Sequence, residues 1–178
     1  GRDYTEFWGI ESNPDISTLK KAIESGKEKN IDFLLAVGGG SVIDGTKLIS
    51  AGIPYDGDAW ELVKKGSAQN TIPLGTVLTI PATGSEMNNG AVISCRETHE
   101  KYPFFSSHPV FSILDPTVTF SLPDYQIACG LADTFVHVME QYMTKTNESY
   151  LMDRWSESIL RTLVQIAPQI KETNRIIT

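Results

Sequence analysis

Asp133 and His137 stand four residues apart in Leu131-Ala132-Asp133-Thr134-Phe135-Val136-His137-Val138-Met139-Glu140-Gln141-Tyr142. The helical period is clear, with Phe135, Val138, Met139 and Tyr142 forming an apolar stripe. Side chains four apart share one side of a helix. A carboxylate and an imidazole placed that way can hold one divalent cation between them. The same spacing also suits a helix-surface ion pair worth ~0.2–0.5 kcal/mol, and a catalytic zinc usually has about three protein ligands. Glu140, one turn on, fits a surface carboxylate better than a ligand. His99 and His108 have no spacing that ties them to His137 and read as surface residues.

A second chemical feature lies far upstream. Phe33-Leu34-Leu35-Ala36-Val37 runs into Gly38-Gly39-Gly40-Ser41, and a helix-like pattern follows through Asp44 and Lys47. Strand, glycine turn and helix start together make the local form of a phosphate site, because open N–H groups at a helix start favour an anion. Glycines let a ligand approach the backbone and tolerate positive φ. Ser41 is a good N-cap. The strand carries no polar residue, which suits a sheet covered on both faces. Alone, the stretch also suits a plain β-to-α turn. A second apolar run, Pro73 to Ile80, leads into another glycine and hydroxyl turn, Pro81-Ala82-Thr83-Gly84-Ser85-Glu86.

The elements that must position these residues follow from periodicity. Residues 1–16 read as loop, with Asn13-Pro14-Asp15 a turn signal. Ser17 to Lys29 is an amphipathic helix with Leu19, Ala22 and Ile23 on its apolar side, capped by Asp15 or Ser17. Ile31 to Val37 is the buried strand, and Ser41 to Ala51 is the next helix. A loop over 52–70 has room for a short helix near Ala59 to Lys65; Asp56, Asp58 and Trp60 there suit a solvated loop with one packed aromatic. Ala91 to Cys95 and Tyr102 to Phe105 read as a hairpin with its tip at Glu97 to Glu100, and Val110 to Leu114 as a short strand. From Leu122-Pro123 the pattern turns helical: Asp124 to Gly130, Leu131 to Lys145, then Tyr150 to Lys171 with Asn147 or Ser149 as cap. An α/β portion over 1–121 followed by an all-α portion over 122–178 is expected.

Composition limits the partners. The 178 residues are 40% hydrophobic and 21% charged, with net charge −7, as in an ordinary globular protein. An acidic chain is a poor match for nucleic acid or an anionic membrane surface. No apolar run reaches the length of a membrane span, and nothing reads as a signal peptide. Cys95 and Cys129 have neither metal nor redox spacing; both read as small buried apolar residues, and a cytoplasmic location is expected. Both ends read as cut, since the chain opens at Gly1 in mid-pattern and closes at Thr178 just after a helix.

Three motifs therefore stand in order: Val37 to Lys47, Thr79 to Glu86 and Gly130 to Tyr142. Together they resemble the iron-containing (group III) alcohol dehydrogenases. The middle motif, Pro81-Ala82-Thr83-Gly84-Ser85-Glu86, is similar to that of the NADPH-dependent butanol dehydrogenase and aldehyde reductase branch. The resemblance extends along the chain, including Glu11-Ser12-Asn13-Pro14 and Leu114-Asp115-Pro116. It implies an α/β Rossmann-like nucleotide-binding domain followed by the start of an all-α metal-binding domain, in a dehydroquinate synthase-like architecture with the active site in the cleft. It implies NADP(H) ahead of NAD(H), a divalent Fe²⁺ or Zn²⁺, a small alcohol or aldehyde substrate and a homodimer.

Carried over position by position, Gly38, Gly39, Gly40 and Ser41 would cradle the pyrophosphate, and Asp44 would lie beside the nicotinamide end. Thr79, Thr83 and Ser85 would line the cofactor cleft, Val92 and Lys101 would meet the nicotinamide and ribose side, and Asp133 and His137 would be the first two metal ligands. The family's other two ligands, both histidines, fall downstream of Thr178, and the unit that selects NAD or NADP falls upstream of Gly1. The expected activity of the parent protein is hydride transfer between NAD(P)H and an aldehyde or primary alcohol. A non-catalytic nucleotide-binding fragment, or another metal-dependent relative such as a glycerol dehydrogenase, is the alternative; the Pro81 to Glu86 motif argues against the latter.

Overall fold

The fold starts at Asp15. In the computed structural model, which describes residues 3–144 and 149–171, its carboxylate caps helix α1 (Ile16–Glu28), accepting from the Ser17 N–H at 2.9 Å and from Ser17 Oγ at 2.5 Å. Its other oxygen accepts the Arg96 N–H at 2.8 Å, tying the helix start to a distant segment. Burial would raise this carboxyl's pKa, but the hydrogen bonds from Ser17 and Arg96 outweigh it and hold the value below 3.8. The helix closes on Asn30, whose φ is 51°. Asn30 N–H donates to Lys27 O and Ile31 N–H to Gly26 O, a closure in which a left-handed residue satisfies the last carbonyls. Because Ile31 is spent on that closure, the strand expected from Ile31 begins only at Leu34.

Three parallel strands form a sheet in the order β1 (Leu34–Gly38), β2 (Leu74–Leu78), β5 (Phe111–Ile113). Between β1 and β2 the chain makes α2 (Gly40–Gly52) and α3 (Ala59–Lys64). Asp58 caps α3 by accepting the Trp60 N–H at 2.7 Å and pairs with Lys20 at 2.6 Å. Between β2 and β5 lies an antiparallel hairpin of β3 (Gly90–Cys95) and β4 (Glu100–Phe105). Glu100, expected in its tip, already pairs with Cys95.

The register sorts the side chains. Leu35 pairs with Gly75, and Gly75 with Phe111; Val37 pairs with Val77, and Val77 with Ile113. These residues share one face, where Leu35 is 53% and Val37 58% exposed and Phe111 and Ile113 are exposed too. The opposite face, with Ala36, Leu74, Thr76 and Leu78, is buried. The sheet was expected to be covered on both sides. Within the first unit only one side is, because α2 packs on β1 and β2 while α1 and α3 pack on α2 and the hairpin. The main core joins Leu19 and Ile23 of α1, Leu48 and Ile49 of α2, Leu62 and Val63 of α3, and Ile93 and Phe104 of the hairpin.

The residues group into two compact units, Gly1–Asp115 and Pro116–Thr178. In the second, Pro123 stands at the N-cap of α4 (Asp124–Met143). Two helices parted at Gly130 were expected, but one continuous helix runs through it. A helical glycine costs only about 1 kcal/mol relative to alanine, and no other group lies within 4 Å of where a Gly130 Cβ would sit. Helix α5 (Tyr150–Ile166) follows Ser149 and packs on α4, with Tyr142 Oη donating to Glu157 Oε1 at 3.0 Å. The expected continuation to Lys171 is 3₁₀ from Ala167, where Pro168 has no N–H for an α-helical bond. Lys145 and Asn147 lie outside the described residues. No residue of α4 or α5 is buried. Cys129, expected inside, is therefore exposed, whereas Cys95 is buried. No helix among the described residues is long and apolar enough to cross a membrane.

Candidate functional site

Strand β1 ends at Gly38 and α2 begins at Gly40, so the glycine turn is a single step from strand to helix. The first intrahelical donors are the N–H groups of Val42 and Ile43, both to Gly39 O. The N–H groups before them, on Gly40 and Ser41, precede that ladder and leave the helix start suited to an anion. Two local expectations change. The N-cap is Gly39, without a side-chain bond, and Ser41 lies one residue inside the helix. Gly39 has φ −82°, so none of the freedom of a positive φ is used there.

Space is what the glycines supply. A Cβ on Gly39 would come within 2.5 Å of Ile80 Cγ2, and one on Gly40 would strike Thr83 Oγ1 and come within 2.7 Å of Thr83 Cγ2. The second turn lies directly on the first, and Thr79 N–H donates to Gly38 O at 3.1 Å. Left-handed backbone is instead needed at Gly84, where φ is 66°.

From there a chain of bonds joins the remaining candidates. Ser85 N–H donates to Thr83 Oγ1 at 3.3 Å. Ser85 Oγ donates to Asp44 Oδ1 at 2.6 Å, and Asp44 Oδ2 accepts the Val92 N–H at 2.9 Å. Pairing of Val92 with Pro103 and of Ser94 with Lys101 puts Val92 and Lys101 on one face of the hairpin. Lys101 Nζ donates to Asn13 Oδ1 at 2.7 Å, and Asn13 N–H donates to Ser41 Oγ at 3.3 Å. Gly38, Gly39, Gly40, Ser41, Asp44, Thr79, Thr83, Ser85, Val92 and Lys101 thus lie in one connected patch of the first unit.

Two members of that patch escaped the sequence reading. Asn13, read as a turn residue and as part of the Glu11-Ser12-Asn13-Pro14 resemblance but given no role in the site, has φ 54° and bridges Ser41 to Lys101. Lys47, fully buried at 0% exposure, donates to Ser85 O at 2.7 Å, Ser85 Oγ at 2.8 Å, Asn88 Oδ1 at 3.0 Å and Gly90 O at 2.6 Å. The available signal was its position: four residues after Ile43, a lysine occupies the buried stripe of α2.

Burial depresses the Lys47 pKa from 10.5 to about 8, against the attraction of Asp44 and Glu86. Between those two pH values the unfolded chain holds a proton that the folded one has released, so stability rises with pH across that window. The expected gain is on the order of 3 kcal/mol from pH 8 to pH 10.5, and Lys47→Met removes it. Denaturant unfolding of both proteins over that range checks it, and parallel pH profiles would contradict it.

In the second unit, His137 Nε2 lies 3.5 Å from Asp133 Oδ1. Two tetrahedral donors at about 2.1 Å from one ion lie roughly 3.4 Å apart, so the pair fits a shared divalent cation. The side chains are 56% and 47% exposed. No cluster of three or more His, Cys, Asp or Glu suited to a metal occurs among the described residues. Two donors from one helix turn can start a metal site but not close it.

A parallel sheet whose strand ends feed glycine-rich turns and a helix start is a Rossmann-like unit. The model of the iron-containing alcohol dehydrogenase family matches residues 1–116, and the chain belongs to that family. It is 51% identical over 173 residues to a probable NADH-dependent butanol dehydrogenase 1 of Bacillus subtilis, covering 96% of this chain and 45% of that protein. It is 49% identical over 175 residues to the NADPH-dependent aldehyde reductase YqhD of Escherichia coli, covering 95% of this chain and 45% of that protein. Among solved structures, that of a Thermotoga maritima NADH-dependent butanol dehydrogenase A superposes with a TM-score of 0.85 at 36% identity, covering 93% of this chain and 42% of the other. The chain thus spans less than half the length of these relatives.

Proposed function

We propose that the chain is part of a metal-dependent, NAD(P)-linked dehydrogenase that interconverts a primary alcohol and its aldehyde. The observation that carries this is the patch in which the two glycine turns, Asp44 and Val92 are joined by hydrogen bonds and Lys101 is tied to Ser41 through Asn13. The similarity to a butanol dehydrogenase and an aldehyde reductase supports the substrate class.

In this reading the Gly40 and Ser41 N–H groups bind the pyrophosphate at the α2 start. Asp44, its two oxygens held by Ser85 and Val92, orients the nicotinamide end, and Lys101 offers a cation on the same hairpin face as Val92. Thr79, Thr83 and Ser85 line the cofactor cleft. Asp133 and His137 supply two metal ligands. When bound, the cofactor supplies the hydride and the metal supplies Lewis-acid polarisation of the substrate oxygen. NADP(H) is preferred to NAD(H) on the resemblance of the Pro81 to Glu86 motif, although the similar proteins include both kinds by name. Residues 1–121 form the nucleotide-binding part and 122–178 the start of the metal-binding part of a cytoplasmic homodimer.

The full-length protein, given Fe²⁺ or Zn²⁺, is expected to oxidise NADPH or NADH in the presence of butyraldehyde, followed by nicotinamide absorbance. No turnover with either cofactor and either metal overturns the proposal. A second reading, a nucleotide-binding piece without catalysis, draws on the two-donor metal site. It fails if the isolated 178 residues bind both metal and cofactor tightly and turn over the aldehyde.

A further inference from the structure

We propose that Lys47 is a positioning residue: its buried ammonium clamps the 84–90 loop onto α2 and thereby fixes Ser85 and Asp44 in the orientation that the nicotinamide cofactor meets.

An ammonium has three protons, and here they are shared among four oxygens, all within 3.0 Å. All four belong to one short stretch, Ser85 to Gly90. The partners are not interchangeable. Ser85 O and Gly90 O hold the two ends of the stretch, and Ser85 Oγ is the hydroxyl that donates onward to Asp44. With Lys47 donating to Ser85 Oγ, the hydroxyl proton is free to point at Asp44 Oδ1, which sets the direction of that bond. Asp44 in turn takes the Val92 N–H, so a single cation on α2 governs the geometry of the second turn and of the hairpin start.

Asn88 braces the same loop from outside. Its Nδ2 donates to Gly84 O at 2.9 Å, and its Oδ1 accepts the Gly90 N–H at 2.9 Å as well as a Lys47 proton. The buried Oε2 of Glu86 has no hydrogen-bond partner among the described residues, and the Lys47 charge attracts the Glu86 carboxylate. A buried cation that only filled space would be costly. The same volume in methionine would carry no desolvation cost and no directional bonds. What lysine adds is direction, delivered to the one loop that carries Ser85.

The inference rests on reading this patch as the cofactor side, and the experiment separates the two. Lys47→Met, Asn88→Ala, Ser85→Ala and the Lys47→Met/Ser85→Ala double variant are made in the full-length protein. Cofactor dissociation constants are measured for NADPH and NADH at 25 °C, after denaturant curves confirm that each variant is folded. Amide hydrogen exchange is read at Met87 and Val92.

Lys47→Met is expected to speed exchange at Val92 and Met87 by about tenfold or more and to weaken cofactor binding by about tenfold or more. The β2 amide of Thr76 serves as the unaffected reference. Asn88→Ala, at an exposed position, moves both readouts the same way by a few-fold. The double variant binds cofactor about as weakly as the worse single variant, because both act through one network. Additive losses in the cycle, or unchanged exchange at Val92, overturn the clamp. If Lys47→Met does not fold, Asn88→Ala and Ser85→Ala decide: unchanged affinity and exchange in both overturns it. Wild-type protein that binds neither cofactor refutes the cofactor reading, while the exchange data still decide the clamp.

Discussion

His137→Ala in the full-length protein is expected to lower aldehyde reduction by roughly 10³-fold while leaving the fold in place. The loss follows from a Lewis-acid contribution of several kcal/mol. The imidazole is 56% exposed, and its nearest charged partner is Asp133 at 3.5 Å. Removing such a pair costs the helix only ~0.2–0.5 kcal/mol. Activity and stability should therefore separate cleanly. Metal content after gel filtration, activity with added Fe²⁺ or Zn²⁺, and denaturant midpoints measure the three quantities on one preparation. Asp133→Asn should follow the same pattern. Wild-type activity in His137→Ala would return the pair to a helix-surface ion pair without function.

Gly40→Val is expected to weaken NADPH and NADH binding by about 10²-fold, and to destabilise the protein by about 1–3 kcal/mol. The two effects have one origin. The added Cβ strikes Thr83 at its hydroxyl and methyl, so the second turn must move away from the first. That movement reaches Ser85 through the Thr83 hydroxyl and Asp44 through Ser85. Adding Thr83→Ala relieves the clash and should recover most of the stability, but binding should stay weak, because a branched side chain still crowds the helix start where the anion sits. Gly130→Ala is the control: among the described residues nothing beyond its own helix backbone lies within 4 Å of the new methyl, and the helix gains about 0.5–1 kcal/mol. Isothermal titration with each cofactor, beside unfolding curves, tests the set. Recovery of binding together with stability in the double variant would mean that the glycine serves turn packing alone.

The structure also recasts why those glycines are there. The sequence suggested backbone freedom and ligand approach. Gly39 and Gly40 instead carry no side chain because Ile80 and Thr83 occupy that space, more than forty residues downstream. Local reading could find the turn, since three glycines after an apolar run are a strong signal. It could not find the second turn resting on it, which is a contact across the sheet. Ser41 was misjudged as a cap for a related reason. Capping preference is statistical, and here the cap lies two residues earlier, at Gly39, with Ser41 Oγ turned to Asn13.

What the amino-acid sequence by itself determined is what depends on neighbours along the chain. The amphipathic helix after Asp15, the apolar strands, the glycine turns, the hairpin and the i,i+4 spacing of Asp133 and His137 all rest on periods of two or 3.6 residues. What only the tertiary structure decided depends on partners far apart in sequence. Lys47 looks like any helical lysine until Ser85, Asn88 and Gly90 close around it. Asn13 looks like a turn residue until Lys101 and Ser41 meet it. The sheet looks doubly covered until the register puts Leu35, Val37, Phe111 and Ile113 on one face that the first unit's own helices leave uncovered. For Lys47 and Asn13 the deciding quantity is a distance in space between groups whose sequence separation carries no periodic signal, and only folding brings it within hydrogen-bond range; for the sheet it is which strand face the helices of the first unit pack on.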